Sequence, residues 1–156
     1  MTDSPRSCGI YRTTEPIDEA IPAGAFVYYH NHGDPGPGVY LPESWRNNRA
    51  VFHETGTTIP APSYAETLEP LVTEGFYRVT EPFYCCEKHC QRFEEDLLVQ
   101  LGYNGDAQAI LFVPELVEGA IALPAEGTLV DEEQLARLQP LKIPVAEETP
   151  KDVTLQ

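Results

Sequence analysis

The sequence has few positive charges. Among its 156 residues, Lys and Arg together number 10 against 25 for Asp and Glu, which gives a formal net charge of −15 at pH 7. A phosphate backbone or an anionic membrane would repel this surface, so we expect neither nucleic acid nor membrane as a partner. The acidity favours solubility, or an acidic face that meets a protein with a basic surface. The carboxylates are scattered and do not form the regular row expected of a nucleic-acid mimic.

Long apolar runs are also missing. No stretch approaches the roughly 20 apolar residues that span a bilayer. The first residues, MTDSPR, lack the apolar centre of a secretory signal. The cysteines Cys8, Cys85, Cys86 and Cys90 are therefore predicted to be reduced thiols in the cytoplasm, not a disulfide framework.

Sequence signatures of catalysis are absent too. The chain contains no Gly-x-Ser-x-Gly elbow, no phosphate-binding Gly-Lys loop and no dinucleotide-binding glycine fingerprint. The absence of these motifs from a small chain favours a non-enzymatic protein, with a metal-dependent enzyme as the alternative.

What the sequence does contain is an internal repeat. Residues 9–17, GIYRTTEPI, return as residues 75–83, GFYRVTEPF, 66 positions later. Further matches follow in the same order: residues 33–34 and 40–43 with 105–106 and 112–115, residues 56–57 with 127–128, and residues 68–71 with 138–141. Matching segments in one order with drifting shifts predict a tandem duplication. Shared residues then belong to the scaffold, and residues present in one copy are where a function would be added.

The duplication divides the chain into predicted regions. We expect a first β repeat at residues 8–73, a second at residues 74–143 and a flexible acidic tail at residues 144–156. A unit of roughly 65–70 residues has only a marginal core of its own. The two copies are therefore predicted to pack on each other.

Both repeats are predicted to be mainly β, because runs of β-branched and aromatic residues alternate with Gly- and Pro-rich turns. Each repeat orders a strand, a long loop, three or four short strands and one short helix, as in a small SH3-like barrel. We expect two such barrels packed as one pseudo-twofold unit. The predicted strands are residues 10–14, 25–29, 39–41, 50–53, 76–80, 97–101, 109–113 and 120–123.

Each predicted helix starts at a polar capping residue and ends near a proline. In the first repeat, Ser63 and Glu66 have the spacing of a capping box, and Pro70 ends the helix. In the second repeat, Asp131 takes the cap position with Gln134 three residues later.

Two connections are also predicted. Asn104 and Gly105 suit the centre of a type I′ hairpin turn, because both residue types tolerate positive φ. Residues 43–48 are predicted to be a polar loop.

The densest cluster of reactive side chains is CCEKHC at residues 85–90, in the long loop after the first strand of the second repeat. Cys86, His89 and Cys90 have spacings compatible with zinc ligands on one loop, and Cys85, Cys8 or a histidine of the first repeat would complete the shell. The candidate metal residues are thus Cys85, Cys86, His89 and Cys90, and zinc is the only candidate cofactor. The alternatives are loop cysteines that act as small apolar residues, or a nucleophilic or redox thiol.

A single cationic-aromatic patch, WRNNR at residues 45–49, belongs to the first repeat alone. Trp and Arg are the residue types that most often anchor protein interfaces. Trp45, Arg46 and Arg49 are therefore the candidate interaction residues. Alternatively, the Trp packs on the scaffold and the Arg side chains pair with nearby carboxylates.

Histidines and tyrosines of the first repeat offer weaker candidates. His30 and His32 would share one face of a strand, which suits a metal or a loop contact. His53 could act as a base, but the sequence identifies no partner for it. The residues of a candidate small-molecule site are Tyr28, Tyr29 and Tyr40.

Taken together, these patterns favour a non-enzymatic protein-interaction or assembly protein that uses single-copy loops on a duplicated β scaffold. The alternative is a zinc-binding protein or metal-dependent enzyme that combines the cysteine loop with histidines of the first repeat. The expected partner is another protein, with a basic surface as one form of it.

Overall fold

The computed structural model describes residues 6–32, 36–144 and 146. The chain is mainly β, as predicted, with two 3-10 helices at Pro62–Thr67 and Glu132–Arg137. We call residues up to 73 the first half and residues from 74 the second half. The strands of the first half are β1 Gly9–Arg12, β2 Phe26–His30, β3 Gly38–Tyr40, β4 Pro42–Arg46, β5 Arg49–Phe52, β6 Thr57–Thr58 and β7 Glu69–Pro70. The strands of the second half are β8 Gly75–Val79, β9 Phe83–Tyr84, β10 Arg92–Phe93, β11 Leu98–Tyr103, β12 Ala109–Phe112, β13 Glu115–Val117, β14 Ala120–Ala122, β15 Thr128–Leu129 and β16 Leu138–Pro140.

Each half contains one five-stranded antiparallel sheet with the same arrangement of strands. The order is β6-β3-β2-β1-β7 in the first half and β15-β12-β11-β8-β16 in the second. In both sheets the last strand returns beside the first. A hairpin stands outside each sheet, β4–β5 in the first half and β13–β14 in the second. Within the described residues neither sheet closes on itself, so both are open sheets and not closed barrels.

The repeated segment occupies the corresponding strand in each half. Arg12 of β1 pairs with Glu69 of β7, and Arg78 of β8 pairs with Gln139 of β16. The side chains repeat the pairing, because the Arg12 guanidinium donates to Glu69 at 3.0 Å and the Arg78 guanidinium donates to Gln139 at 2.8 Å. The matching letters of the sequence therefore mark matching positions in the two sheets.

The tyrosine of this segment also makes the same bond twice. The Tyr11 hydroxyl donates to the Ser7 carbonyl at 2.7 Å, and the Tyr77 hydroxyl donates to the Thr73 carbonyl at 2.6 Å. Both rings are buried. Each tyrosine thus ties the segment before its strand to the core.

A shared glycine lies beneath an aromatic ring in both halves. A Cβ on Gly56 would lie 2.7 Å from the ring of Tyr40, and a Cβ on Gly127 would lie 2.8 Å from the ring of Phe112. The same Cβ atoms would lie only 2.6 Å from the carbonyl oxygens of Val39 and Leu111, and real side chains do not approach so closely. The backbone and the ring of the third sheet strand together therefore require glycine at both positions.

The two hairpins outside the sheets have the same register. Trp45 of β4 pairs with Ala50 of β5, and Leu116 of β13 pairs with Ile121 of β14. A type I′ turn requires positive φ at both central residues. The turn residues, all with positive φ, are Asn47, Asn48, Glu118 and Gly119. Trp45 and Leu116 therefore hold equivalent places.

Two hydrophobic clusters form the core. One is built from the first half alone and includes Val27 and Tyr29. The other is built from the second half together with Phe26, which is fully buried and stacks on Tyr103 at 5.2 Å between ring centroids. The Phe26 N–H also donates to the Gly105 carbonyl at 3.0 Å. Phe26 therefore joins the first sheet to the core of the second half.

The predicted N-cap residue is wrong for the first helix and confirmed for the second. The first 3-10 helix has Ala61 at its N-cap and contains Ser63, and no side-chain bond caps it. The second helix does have Asp131 at its N-cap, but again without a side-chain bond. Each helix is a six-residue 3-10 segment that ends before a short strand.

Both predicted connections differ as well. In the turn between β11 and β12 positive φ occurs at Ala107, and the Asn104 side chain instead accepts from the Asp106 and Gln108 N–H groups at 3.0 and 2.9 Å. Residues 43–48, predicted as a loop, form most of β4 and the turn of its hairpin.

Within the part of the chain that the structure describes, no helix is long and apolar enough to cross a membrane. Of the predicted tail at residues 144–156, only residues 144 and 146 are described, so its predicted flexibility lies outside the described residues. The predicted match at residues 33–34 lies outside them too.

Candidate functional site

A small two-stranded sheet holds the cysteine loop (residues 85–90). Strands β9 and β10 flank the loop, and their buried rings Phe83 and Phe93 stack at 5.1 Å. At the base of the loop, the Cys85 N–H donates to the Gln91 carbonyl at 2.9 Å. The Cys85 carbonyl accepts from the Asp131 N–H, also at 2.9 Å. The loop is thus closed at its base and tied to the start of the second 3-10 helix.

Three sulfur atoms meet in this loop. The Sγ atoms of Cys85, Cys86 and Cys90 lie within 4.8 Å of one another, and those of Cys85 and Cys86 are 3.5 Å apart. Cys85 is buried, Cys86 is half-buried and Cys90 is exposed, so the group is open to solvent on one side. Tetrahedral coordination with Zn–S bonds of about 2.3 Å places sulfurs about 3.8 Å apart. The three sulfurs are therefore close to the spacing that zinc requires.

Backbone N–H groups point at these sulfurs. The Gln91 N–H donates to the Cys85 sulfur at 3.3 Å. The Lys88 N–H donates to the Cys86 sulfur and is the main cause that lowers the pKa of Cys86. The hydrogen bond with Cys86 raises the pKa of Cys90 in turn. Cys86 is therefore the thiol of this pair that ionises first.

His89, the fourth predicted ligand, lies outside the group of three sulfurs, although it lines a cleft of about 300 Å³ together with Cys86. Its ring stacks on Tyr84 at 3.9 Å between centroids and 14° between planes, and Arg92 lies over the same tyrosine at 5.6 Å. His89 also has a positive φ of 54°. The structure thus brings three of the four predicted metal residues together and places the imidazole against an aromatic ring.

Carboxylates lie beside the sulfur group. Cys86 lines two clefts of about 510 and 300 Å³, and Asp131 and Glu133 line both of them as well. These residues come from the second 3-10 helix and its N-cap. The cysteine loop therefore faces an acidic surface, which favours the approach of a cation.

A second group of candidate metal ligands lies in the first half. Ligand atoms of Cys8, His30 and His32 lie within 4.8 Å of one another, and the two imidazole rings are 4.0 Å apart. The Cys8 thiol donates to the Asn31 side-chain oxygen at 3.3 Å, and its sulfur accepts from the Asn31 N–H at 3.3 Å. Among the described residues, Cys8 and these histidines form a group separate from the cysteine loop.

The predicted interaction patch lies on the β4–β5 hairpin, against the second half. The Trp45 indole N–H donates to the Tyr103 carbonyl at 2.8 Å, and 43% of Trp45 remains exposed. At the turn, the Asn48 side chain donates to the Gln100 side chain at 3.0 Å, and Gln100 donates to the Asn47 carbonyl at 2.8 Å. The patch therefore serves at least in part as an internal tie, while its role in binding a partner stays a prediction.

Arg46 and Arg49 line a cleft of about 560 Å³ between the hairpin and the second sheet. The Glu74 carboxylate lies in the same cleft, 5% exposed, and accepts from the Ala50 N–H at 3.0 Å. Arg49 stands 3.7 Å from it. Burial raises the pKa of Glu74, and the Ala50 and Arg49 contacts oppose this shift only partly. No sequence pattern indicates this buried carboxylate, because its burial depends on the contact between the hairpin and the second sheet.

The equivalent hairpin of the second half, β13–β14, is bare. Leu116 is 76% exposed, Ile121 is 65% exposed and Val117 is 49% exposed. The sequence carries a signal for it, because apolar residues flank the turn pair Glu118-Gly119 on both sides.

The remaining candidates do not converge. His53 is exposed at the end of β5. Tyr28 and Tyr40 are half-buried with their rings 6.4 Å apart, whereas Tyr29 is buried in the first core on the opposite face of β2. The three tyrosines therefore do not line one surface.

Compared with protein families, curated proteins and solved structures, the chain shows no significant match. The functional argument therefore rests on the side chains themselves.

Proposed function

We propose that this chain is a non-enzymatic assembly protein whose β13–β14 hairpin docks onto the first half of a second copy. The observation that carries this proposal is the exposure of Leu116 and Ile121 on a hairpin whose counterpart in the first half is covered. Adjacent exposed apolar side chains of this size mark interaction surfaces in soluble proteins.

The proposal includes a tandem duplication of an SH3-like unit. Matching strand orders, matching registers and the repeated Tyr and Gly contacts support a common origin of the two halves. In each half the last strand follows a 3-10 segment and returns beside the first strand, as in SH3-like units. Each half would then be an opened form of such a unit, enlarged by one hairpin.

The contact of the β4–β5 hairpin with the second half indicates how the β13–β14 hairpin would dock on the first half of another copy. The β4–β5 hairpin lies against β11, where it meets Gln100 and the Tyr103 carbonyl. A shift of 72 positions relates β11 to β2, because Gln100 pairs with Phe112 as Tyr28 pairs with Tyr40. The equivalent surface for β13–β14 is therefore the half-buried end of the β2 face at Tyr28, beyond the buried Phe26, where Phe52 of β5 packs on the Tyr28 ring at 5.8 Å between centroids. Its half-buried aromatic rings suit the apolar side chains of the hairpin.

This geometry joins unlike surfaces, so it is a head-to-tail contact. Such contacts produce open chains or closed rings, of which a reciprocal pair is the smallest. A surface of one hairpin is small, and small interfaces give weak and transient association. Concentration-dependent assembly is thus the expected behaviour.

The test is sedimentation of the full chain across a wide concentration range. We expect reversible association of the wild type. Leu116→Glu should weaken it at least about tenfold, because burial of one leucine contributes roughly 1.5–3 kcal/mol. The matched control is Leu129→Glu, since Leu129 is 51% exposed but lies on β15 and not on the hairpin. A wild type that stays monomeric at every concentration would contradict the proposal.

The proposed partner is a second copy. Two predictions from the sequence stay untested: another protein that binds the Trp45 patch, and a basic partner surface that meets the acidic face of the chain. A pull-down compares these sites. A partner that the wild type and Leu116→Glu both recover, but Trp45→Ala does not, would show that the interaction site is the first hairpin.

A further inference from the structure

We propose that Cys85, Cys86 and Cys90 bind one zinc ion through three thiolates, with the fourth coordination position facing solvent. This inference is independent of the docking hairpin. It differs from the ligand set that the sequence indicates, because His89 is not a ligand.

The geometry needs little change to bind the ion. Two of the three sulfurs are already 3.5 Å apart, and the whole group lies within 4.8 Å. Cys90 is exposed and can turn toward the other two without moving packed side chains. The base of the loop is held by the backbone bond from Cys85 to Gln91, so the main chain is already arranged for binding.

The chemistry of the donor set selects the ion. Thiolates are soft ligands that favour zinc and similar cations over magnesium or calcium, which prefer oxygen ligands. Binding breaks three S–H bonds, forms three Zn–S bonds and releases three protons to solvent, with no change in oxidation state. Three thiolates around a divalent ion leave one negative charge. The N–H groups of Lys88 and Gln91 stabilise that charge from outside the ligand shell.

The exposed fourth position follows from the surroundings of the loop. The His89 ring is held against Tyr84, and Cys8 belongs to the group in the first half. Among the neighbouring residues, Asp131 and Glu133 line the clefts at Cys86 and raise the local concentration of cations. Water completes the tetrahedron in this arrangement, as it does in open zinc sites.

The test is a cobalt titration of the full chain after chelator treatment, followed by displacement with zinc. We expect an intense thiolate-to-cobalt charge-transfer band that saturates near one equivalent. Zinc at one hundred times its Kd should raise the Tm by about 5–10 °C. Zinc should also slow the reaction of Cys86 and Cys90 with a thiol reagent.

Variants assign the ligands. Cys86→Ser and Cys90→Ser should each lower zinc affinity at least about a hundredfold, since each removes one of three protein ligands. Neither residue is buried, so both variants are expected to fold, and circular dichroism checks this. The controls are Cys8→Ser and His89→Ala, which should leave the charge-transfer band and the affinity within about threefold of the wild type.

Three results would overturn the proposal. The first is a cobalt titration of folded wild type that produces no charge-transfer band, which would show that the three thiolates do not bind the ion. A band that survives Cys86→Ser and disappears in Cys8→Ser places the metal at the first-half group. A hundredfold loss in His89→Ala makes His89 a ligand and removes the open position.

Discussion

The hairpin β4–β5 lies against the second half of the chain, whereas the equivalent hairpin β13–β14 leaves Leu116 and Ile121 largely exposed. Trp45 and Leu116 hold the same place in the two hairpins. One donates its N–H to a neighbouring strand, and the other is 76% exposed. Two hairpins of the same register thus differ in their surroundings, since one is an internal tie and the other presents apolar side chains to solvent.

The long loop after the first strand of each sheet gives a second contrast. In the first half a single bridge, Ile17 with Ile21, closes this loop, and both residues are buried. In the second half the loop carries β9, β10 and the three cysteines. Residues shared by the halves thus pack or pair, and the reactive side chains stand where only one half has them.

The largest expected effect comes from Phe26, the residue that crosses between the halves. Phe26→Ala should destabilise the fold by about 3–5 kcal/mol, because it leaves a cavity in the core of the second half. Leu98 holds the equivalent position in the second half and is half-buried. Leu98→Ala should cost only about 1 kcal/mol. Chemical denaturation measures both, and equal losses would show that Phe26 does not join the halves.

A smaller effect is expected at the two hairpins. Trp45→Ala should cost about 1–2 kcal/mol, because it removes the bond to the Tyr103 carbonyl and part of a packed ring. Leu116→Ala at the equivalent exposed position should change stability by no more than about 0.5 kcal/mol. Thermal and urea unfolding of dilute protein compare the two. A loss at Leu116 as large as that at Trp45 would mean that β13–β14 is covered within one chain.

The smallest expected change in stability concerns Glu74, which is buried beside the β4–β5 hairpin. Burial raises the pKa of Glu74 in the folded chain above its ordinary value of 4.5. The folded chain therefore favours the neutral acid. Protonated Glu74 contributes its full stability to the fold below pH 4.5, and this contribution is lost as the pH rises through the raised pKa of the folded chain. Glu74→Gln keeps an acceptor for the Ala50 N–H and cannot ionise. The stability of this variant relative to wild type should rise from acidic to neutral pH, and a flat difference would contradict the assignment.

Much of the scaffold could be predicted from sequence. Aromatic and β-branched runs located β2, β11 and β12 to within two residues. The repeat placed residues 9–14 and 75–80 in corresponding strands. These features depend on the local composition of each strand and on the similarity between the two repeated segments, and both can be read from the sequence alone.

Other features depend on tertiary contacts that no local pattern carries. Residues 43–48 have the polar composition of a loop, and they form a strand and turn because Trp45 and Asn48 bind the second half. Asn104 uses its side chain to close a turn, which moves the positive φ to Ala107. Likewise, the spacing of residues 85–90 could not show that the His89 ring lies apart from the three sulfurs, because stacking on Tyr84 decides the orientation of that ring.

In the proposed assembly, the exposed hairpin of one copy docks on the β2 face of another. Two variants separate the surfaces: Leu116→Glu disables the hairpin, and Tyr28→Lys disables the β2 face. Circular dichroism and thermal unfolding confirm that each variant folds. Head-to-tail contacts require that neither variant associates alone, since each lacks one of the two surfaces.

The most direct measurement is sedimentation of these two variants, alone and mixed in equal amounts. We expect each variant to be a monomer by itself and the mixture to form one heterodimer, through the intact hairpin of Tyr28→Lys and the intact β2 face of Leu116→Glu. Association of Tyr28→Lys by itself, or a mixture that stays monomeric at concentrations where the wild type assembles, would contradict it.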